Sequence, residues 1–175
     1  MKKEAIDRLG AREILACAML NEKIACQDYL ILGELMEIKN HQETAKIFYE
    51  ASKVERGHFK RLQKTLYKLY GMKIDDSCEI PFALKCEGGF GDDTDSTFDD
   101  MGEEAAIKFL ESVEKKAEEF YVEAAKVTDR LDLKPLFKNL AFEERNHRIR
   151  IKKIARRAQG RPLPKREARP AHPYH

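Results

Sequence analysis

The chain has 175 residues, 37% of them charged, with a formal net charge of +2. That length suits one domain with a real core and is too short for two typical domains and a linker. A balance so near zero excludes a globally basic nucleic-acid binder. No apolar run approaches the roughly 18 residues of a membrane span, and Met1-Lys2-Lys3-Glu4 leads into an amphipathic segment, so a cytoplasmic protein without membrane contact is expected.

The first segment, about residues 3 to 38, places Leu15, Ala18, Glu22, Ala25, Tyr29, Leu32 and Met36 at alternating steps of three and four, the stripe of a bundle-facing helix. The second, about 41 to 70, gives Phe48, Ala51, Glu55, His58, Leu62 and Leu66 on one face. Asn40 and Glu43 are read as its capping box and Gly71 as its stop. Mid-helix Gly57, beside His58, suggests close packing or ligand access.

Residues 71 to 100 form an acidic connection holding Pro81 and Gly88-Gly89, too long for a simple turn. A crossover of this size can run the length of a bundle, and it leaves open an exchange of hairpins between the two chains of a dimer. The third segment, about 101 to 130, carries Ile107, Leu110, Glu114, Ala117, Tyr121 and Ala124, with Asp100 and Glu103 as its cap pair. The fourth, about 134 to 158, has Pro135 in its first turn and presents Phe137, Leu140, Glu144, His147, Ile151 and Ile154. Beyond it, residues 159–175 read as a basic, Pro-rich tail with too few aromatics for nucleic-acid binding.

The fold class is therefore all-α: a four-helix bundle of two antiparallel hairpins joined by a long crossover, spanning residues 1–158. Cys17 and Cys26 are expected as small buried hydrophobes, and Cys78 and Cys86 as free thiols. No Cys-x-x-Cys pair is present to hold zinc or a single iron.

Each helical stripe carries its ionisable residues at mid-height. Four carboxylates inside a bundle would repel one another unless cations sat among them; two divalent ions neutralise Glu22, Glu55, Glu114 and Glu144, with His58 and His147 as neutral ligands. In Glu55-x-x-His58 and Glu144-x-x-His147 the pair shares one helix face, so each glutamate can bridge two metals while Glu22 and Glu114 are terminal. Glu143 competes with Glu144 as the ligand, but the match to Val54-Glu55 favours Glu144. Mixed carboxylate and imidazole donors suit iron first and manganese second. Tyr29 and Tyr121, each seven residues after its glutamate, are either core aromatics or donors to a ligand carboxylate. Asp28 is a weaker candidate for supporting a histidine.

These residues resemble the rubrerythrin branch of the ferritin-like superfamily: Glu22-x-x-Ala25-x-x-x-Tyr29, Glu55-x-x-His58, Glu114-x-x-Ala117-x-x-Phe120-Tyr121 and Leu140-Ala141-Phe142-Glu143-Glu144-x-x-His147. The resemblance implies a di-iron centre in a homodimer, reacting with hydrogen peroxide or dioxygen. Peroxide reduction to water is the first expectation and ferroxidase or iron-handling activity the alternative. A regulatory bundle with structural metals ranks below both. Two departures stand out. The Cys-x-x-Cys pairs of a rubredoxin domain are missing, which implies an external electron donor such as a rubredoxin. Ala117 also replaces an extra glutamate, which makes the site resemble the symmetric centre of bacterioferritin.

Overall fold

The computed structural model describes Ile6, residues 8–71 and residues 98–158. Among them lie four long helices: α1 (Ala11–Ile38), α2 (Gln42–Tyr70), α3 (Glu103–Val127) and α4 (Lys134–Ala158), with a 3₁₀ turn at Phe98–Asp100 before α3. The bulk of the acidic connection, with Cys78 and Cys86, and the tail from 159 onward lie outside the described residues.

The stripes read from the sequence are the buried faces. Leu15, Ala18, Ala25, Leu32 and Met36 of α1 meet Phe48, Ala51, Leu62 and Leu66 of α2, and Leu110, Ala124, Phe137, Leu140 and Ile151 complete the core. α1 packs on α2 and α3 on α4, and the two hairpins meet through α1 with α3 and α2 with α4. Side-chain partners fix the directions. Tyr29 reaches Glu114 while Tyr121 reaches Glu22, so α1 and α3 run antiparallel. Arg61 reaches Glu143 while Arg150 reaches Glu50, so α2 and α4 do too. Hence α2 and α3 are parallel, and the end of α2 and the start of α3 lie at opposite ends of the bundle.

The helix ends differ from the sequence expectation in instructive ways. α1 starts at Ala11 rather than near residue 3, because Gly10 is extended there and its N–H is taken by the Glu13 carboxylate at 2.6 Å. Asn40 does not cap α2. It adopts a left-handed φ of 63° and closes α1, with the His41 N–H on the Met36 carbonyl and the Asn40 N–H on Glu37. This is the Schellman arrangement, in which Asn is the usual substitute for Gly, and it leaves His41 as the start of α2. Gly71 ends α2 in the left-handed region as expected.

Asp100 and Glu103 do not form a cap pair either. Gly102 starts α3, and Glu103 instead accepts a hydrogen bond from Thr44 Oγ1, tying the beginning of α3 to that of α2. α3 stops at Val127, three residues short of the expected end. Gly57 is exposed, with nothing within 4 Å of a Cβ built on it, so neither packing nor access explains it. The close approach lies at Gly33, where a Cβ would fall 2.6 Å from the Tyr49 ring. Cys26 is a buried free thiol. Cys17, expected as a small buried hydrophobe, is buried but disulfide-bonded, with its second cysteine outside the described residues, against the expectation that Cys78 and Cys86 are both free; a pairing between distant segments leaves no mark in local spacing.

Candidate metal centre

All four helices deliver ionisable side chains to one level of the core. Glu22, Glu55, Glu114 and Glu144 are each 2% exposed or less, and His58 is 4% exposed. Two overlapping groups result: Glu22, Glu55, His58 and Glu144, and Glu55, Glu114, Glu144 and His147, with the donor atoms of each within 4.8 Å of one another. Glu55 and Glu144 belong to both groups. Glu22 with His58 marks one end of the cluster and Glu114 with His147 the other.

Distances within the cluster exceed what protons can satisfy. His58 Nδ1 lies 2.7 Å from Glu144, 3.2 Å from Glu55 and 3.6 Å from Glu22, three carboxylates around one nitrogen. His147 Nδ1 lies 2.9 Å from Glu114 and 3.2 Å from Glu55. Yet Glu22 Oε2, Glu55 Oε1, Glu114 Oε2, Glu144 Oε1 and His147 Nδ1 are buried without a properly oriented hydrogen-bond partner. Orphaned buried acceptors converging on one point are costly in a native core and call for a cation. The donor set therefore fits a pair of divalent ions, with three or four donors for each.

Electrostatics express the same crowding. Burial, then repulsion from neighbouring carboxylates, raises Glu55 and Glu144 well above the ordinary carboxylate range. Burial also pushes Glu22 up, but the close approach of the Glu55 carboxyl and the His58 ring, with the Tyr121 hydroxyl, outweighs it and holds Glu22 low. For His58, burial opposes the charged ring; Glu143, Glu144, Glu22 and Glu55 outweigh it and raise the pKa. His147 is raised too, with Glu114 overcoming burial.

The two tyrosines cross the bundle reciprocally. Tyr29 of α1 donates to Glu114 Oε1 at 2.9 Å, and Tyr121 of α3 donates to Glu22 Oε1. Both hydroxyls are fully buried and pushed well above the usual tyrosine range, by burial first and then by the glutamates, so they remain donors. Phe48 packs on Tyr29 at 6.2 Å and Phe137 on Tyr121 at 6.3 Å, each phenylalanine seven residues before the glutamate of its helix. The site thus has an approximate two-fold relation between hairpins, the structural counterpart of the repeated sequence.

That relation breaks at two places that sequence reasoning did not identify. Glu143, half exposed, stays out of the cluster and accepts from His58 Nε2 at 3.0 Å, while Arg61 grips its carboxylate with both terminal nitrogens. His58 and Arg61 hold Glu143 down to about 2 against the upward push of burial. Position 61, three after His58 on α2, was the available signal. Asp28 hydrogen-bonds neither histidine; burial alone raises it to about 6.

The second break lies on the bundle's outer seams. Arg148 and Glu118 bridge α4 and α3 at 2.6 Å. The matching positions of α2 and α1 hold Phe59 and Cys26, and there a groove of about 620 Å³ opens, ringed by Lys23, Arg56 and Lys60. Every exposed charge on α2 beyond Glu50 is positive: Lys53, Arg56, Lys60, Lys64 and Lys68.

Among the described residues no helix is long and apolar enough to cross a membrane. A family model described as Rubrerythrin matches residues 13–83, the stretch that holds Glu22, Tyr29, Glu55 and His58. No curated protein and no solved structure matches the chain.

Proposed function

We propose that this rubrerythrin-like chain is a di-iron protein that reduces hydrogen peroxide to water. The observation that carries the reading is the set of orphaned oxygens on Glu22, Glu55, Glu114 and Glu144, which with the two histidines ask for two divalent cations. Glu22, Glu55, His58 and Glu144 would hold one ion and Glu55, Glu114, Glu144 and His147 the other, with Glu55 and Glu144 common to both groups. When bound, a pair of ferrous ions supplies the two electrons that turn one peroxide and two protons into two waters.

The protein's own part is positional. Four glutamates balance the charge of two divalent ions, so the loaded core is neutral although dry. Tyr29 and Tyr121 fix the rotamers of Glu114 and Glu22 and keep a proton on each hydroxyl at the site. Leu, Phe and Ala side chains above and below exclude water and confine a reactive oxidant. In this reading a donor outside these residues supplies the electrons that restore the ferrous state. The lysine and arginine groove beside Glu22 and Glu55 supports docking of an acidic one.

Anaerobic loading with Fe(II), then separate mixing with peroxide and with dioxygen while recording ferric absorption, tests the reading. Oxidation much faster with peroxide is expected. Ala117, buried in the core where an additional carboxylate would make the site unsymmetrical, supports the second reading, iron handling on a bacterioferritin-like centre. Faster reaction with dioxygen, together with a cage-sized particle in solution instead of a dimer, would establish that alternative.

A further inference from the structure

The repeated hairpins make the two ends of the cluster look equivalent, but their outer supports are not. On the ring of His58, Nδ1 faces the glutamates while Nε2 bonds to Glu143 at 3.0 Å. Arg61 fixes Glu143 from the other side, Nη1 to Oε1 at 2.9 Å, so ring, carboxylate and guanidinium form a continuous brace between α2 and α4. The register of the repeat puts Val54 where Glu143 stands and Arg150 where Arg61 stands. Val54 offers no acceptor, and Arg150 has swung one turn away to Glu50 at 2.7 Å. Among the described residues nothing hydrogen-bonds Nε2 of His147, and its Nδ1 is one of the orphaned atoms.

A carboxylate on the far nitrogen of a ligating imidazole sets the tautomer, holds the ring plane and makes the ligand more basic. We propose that the Glu143–Arg61 brace makes the two metal positions inequivalent: the half built on Glu22 and His58 fills first and holds its ion more tightly than the half built on Glu114 and His147. The inference rests on the two-metal reading above. Glu143 and Arg61 are positioning residues, since neither enters the cluster. The consequence is an ordered centre, in which one ion is resident and the other exchanges with the surroundings.

Titration of the metal-free protein with Co(II) alone, followed by visible absorption and calorimetry, tests this without any turnover. Two ions per chain are expected, bound in steps about 10- to 100-fold apart in affinity. Glu143→Ala should weaken the tight step by a similar factor and merge the two. Glu143→Gln, which keeps an oxygen for the Nε2 proton, should restore part of the separation. His147→Ala should retain the tight step and lose the weak one, and His58→Ala the reverse. Val54→Glu should tighten the second step. Because Glu143 is half exposed and Val54 only partly buried, circular dichroism of the metal-free variants should match the parent.

Two ions bound in equal steps, or a separation indifferent to Glu143→Ala, would overturn the inference alone. Fewer than two ions per chain would overturn the two-metal reading with it.

Discussion

Tyr121 and Glu22 show how much one hydroxyl carries in this core. A buried carboxylate that loses its donor keeps the full desolvation cost, so Tyr121→Phe should destabilise the metal-free protein by about 1–3 kcal/mol, read from urea unfolding. Tyr29→Phe should behave alike through Glu114. The ionisable groups also set a pH dependence. Glu55, Glu144, His58 and His147 have raised folded-state pKa values, so the stability they contribute is present below their unfolded values and is lost as pH rises past them. Glu143, lowered to about 2, contributes above the ordinary carboxylate range and is lost on acidification. Metal-free protein should therefore melt highest near about pH 5 and progressively lower toward about pH 8. Metal should flatten that upper limb, and a melting temperature that rises across it would contradict the assignment of buried, mutually repelling carboxylates.

At the scale of the helices, two glycines have opposite meanings that spacing could not separate. Gly57 lies on the open face of α2, so Gly57→Ala should stabilise by about 0.5–1 kcal/mol through helix propensity alone. Gly33 lies where α1 meets Tyr49, and Gly33→Ala should cost about 1–3 kcal/mol by displacing that ring and its hydrogen bond to Glu37. Both effects are measurable by chemical denaturation. The caps carry the same lesson: Asn40 and Glu43 satisfy the capping-box pattern, yet the left-handed turn that ends α1 claims Asn40. Which of two adjoining helix ends uses a residue depends on the angle between them. Sequence pattern holds no record of that angle.

For the molecule as a whole, the two seams between paired helices differ among the described residues. The α1–α2 seam opens as a cationic groove, whereas the α3–α4 seam is bridged by Arg148 and Glu118. If an acidic donor uses the groove, Arg56→Glu with Lys60→Glu should slow reduction of the ferric protein by such a donor at least tenfold at low salt and abolish its salt dependence. The reaction of the prereduced protein with peroxide should not change. Stopped-flow traces for the two half-reactions would separate these outcomes.

The sequence by itself determined the four helices and which face of each turns inward, because a period of three and four residues leaves only one way to bury so much apolar surface. It also determined that Glu22, Glu55, His58, Glu114, Glu144 and His147 share a level, since each sits at mid-height on its stripe. Tertiary structure alone decided the reciprocal tyrosine bonds, the helix ends, the brace on His58 and the open seam. The tyrosine bonds and the brace depend on contacts between hairpins some 80 to 100 residues apart in the chain, such as Tyr29 with Glu114 and Tyr121 with Glu22, and the helix ends and the seam on how neighbouring helices meet. Periodicity reports where a side chain faces, whereas a partner on another helix is chosen only when the helices meet.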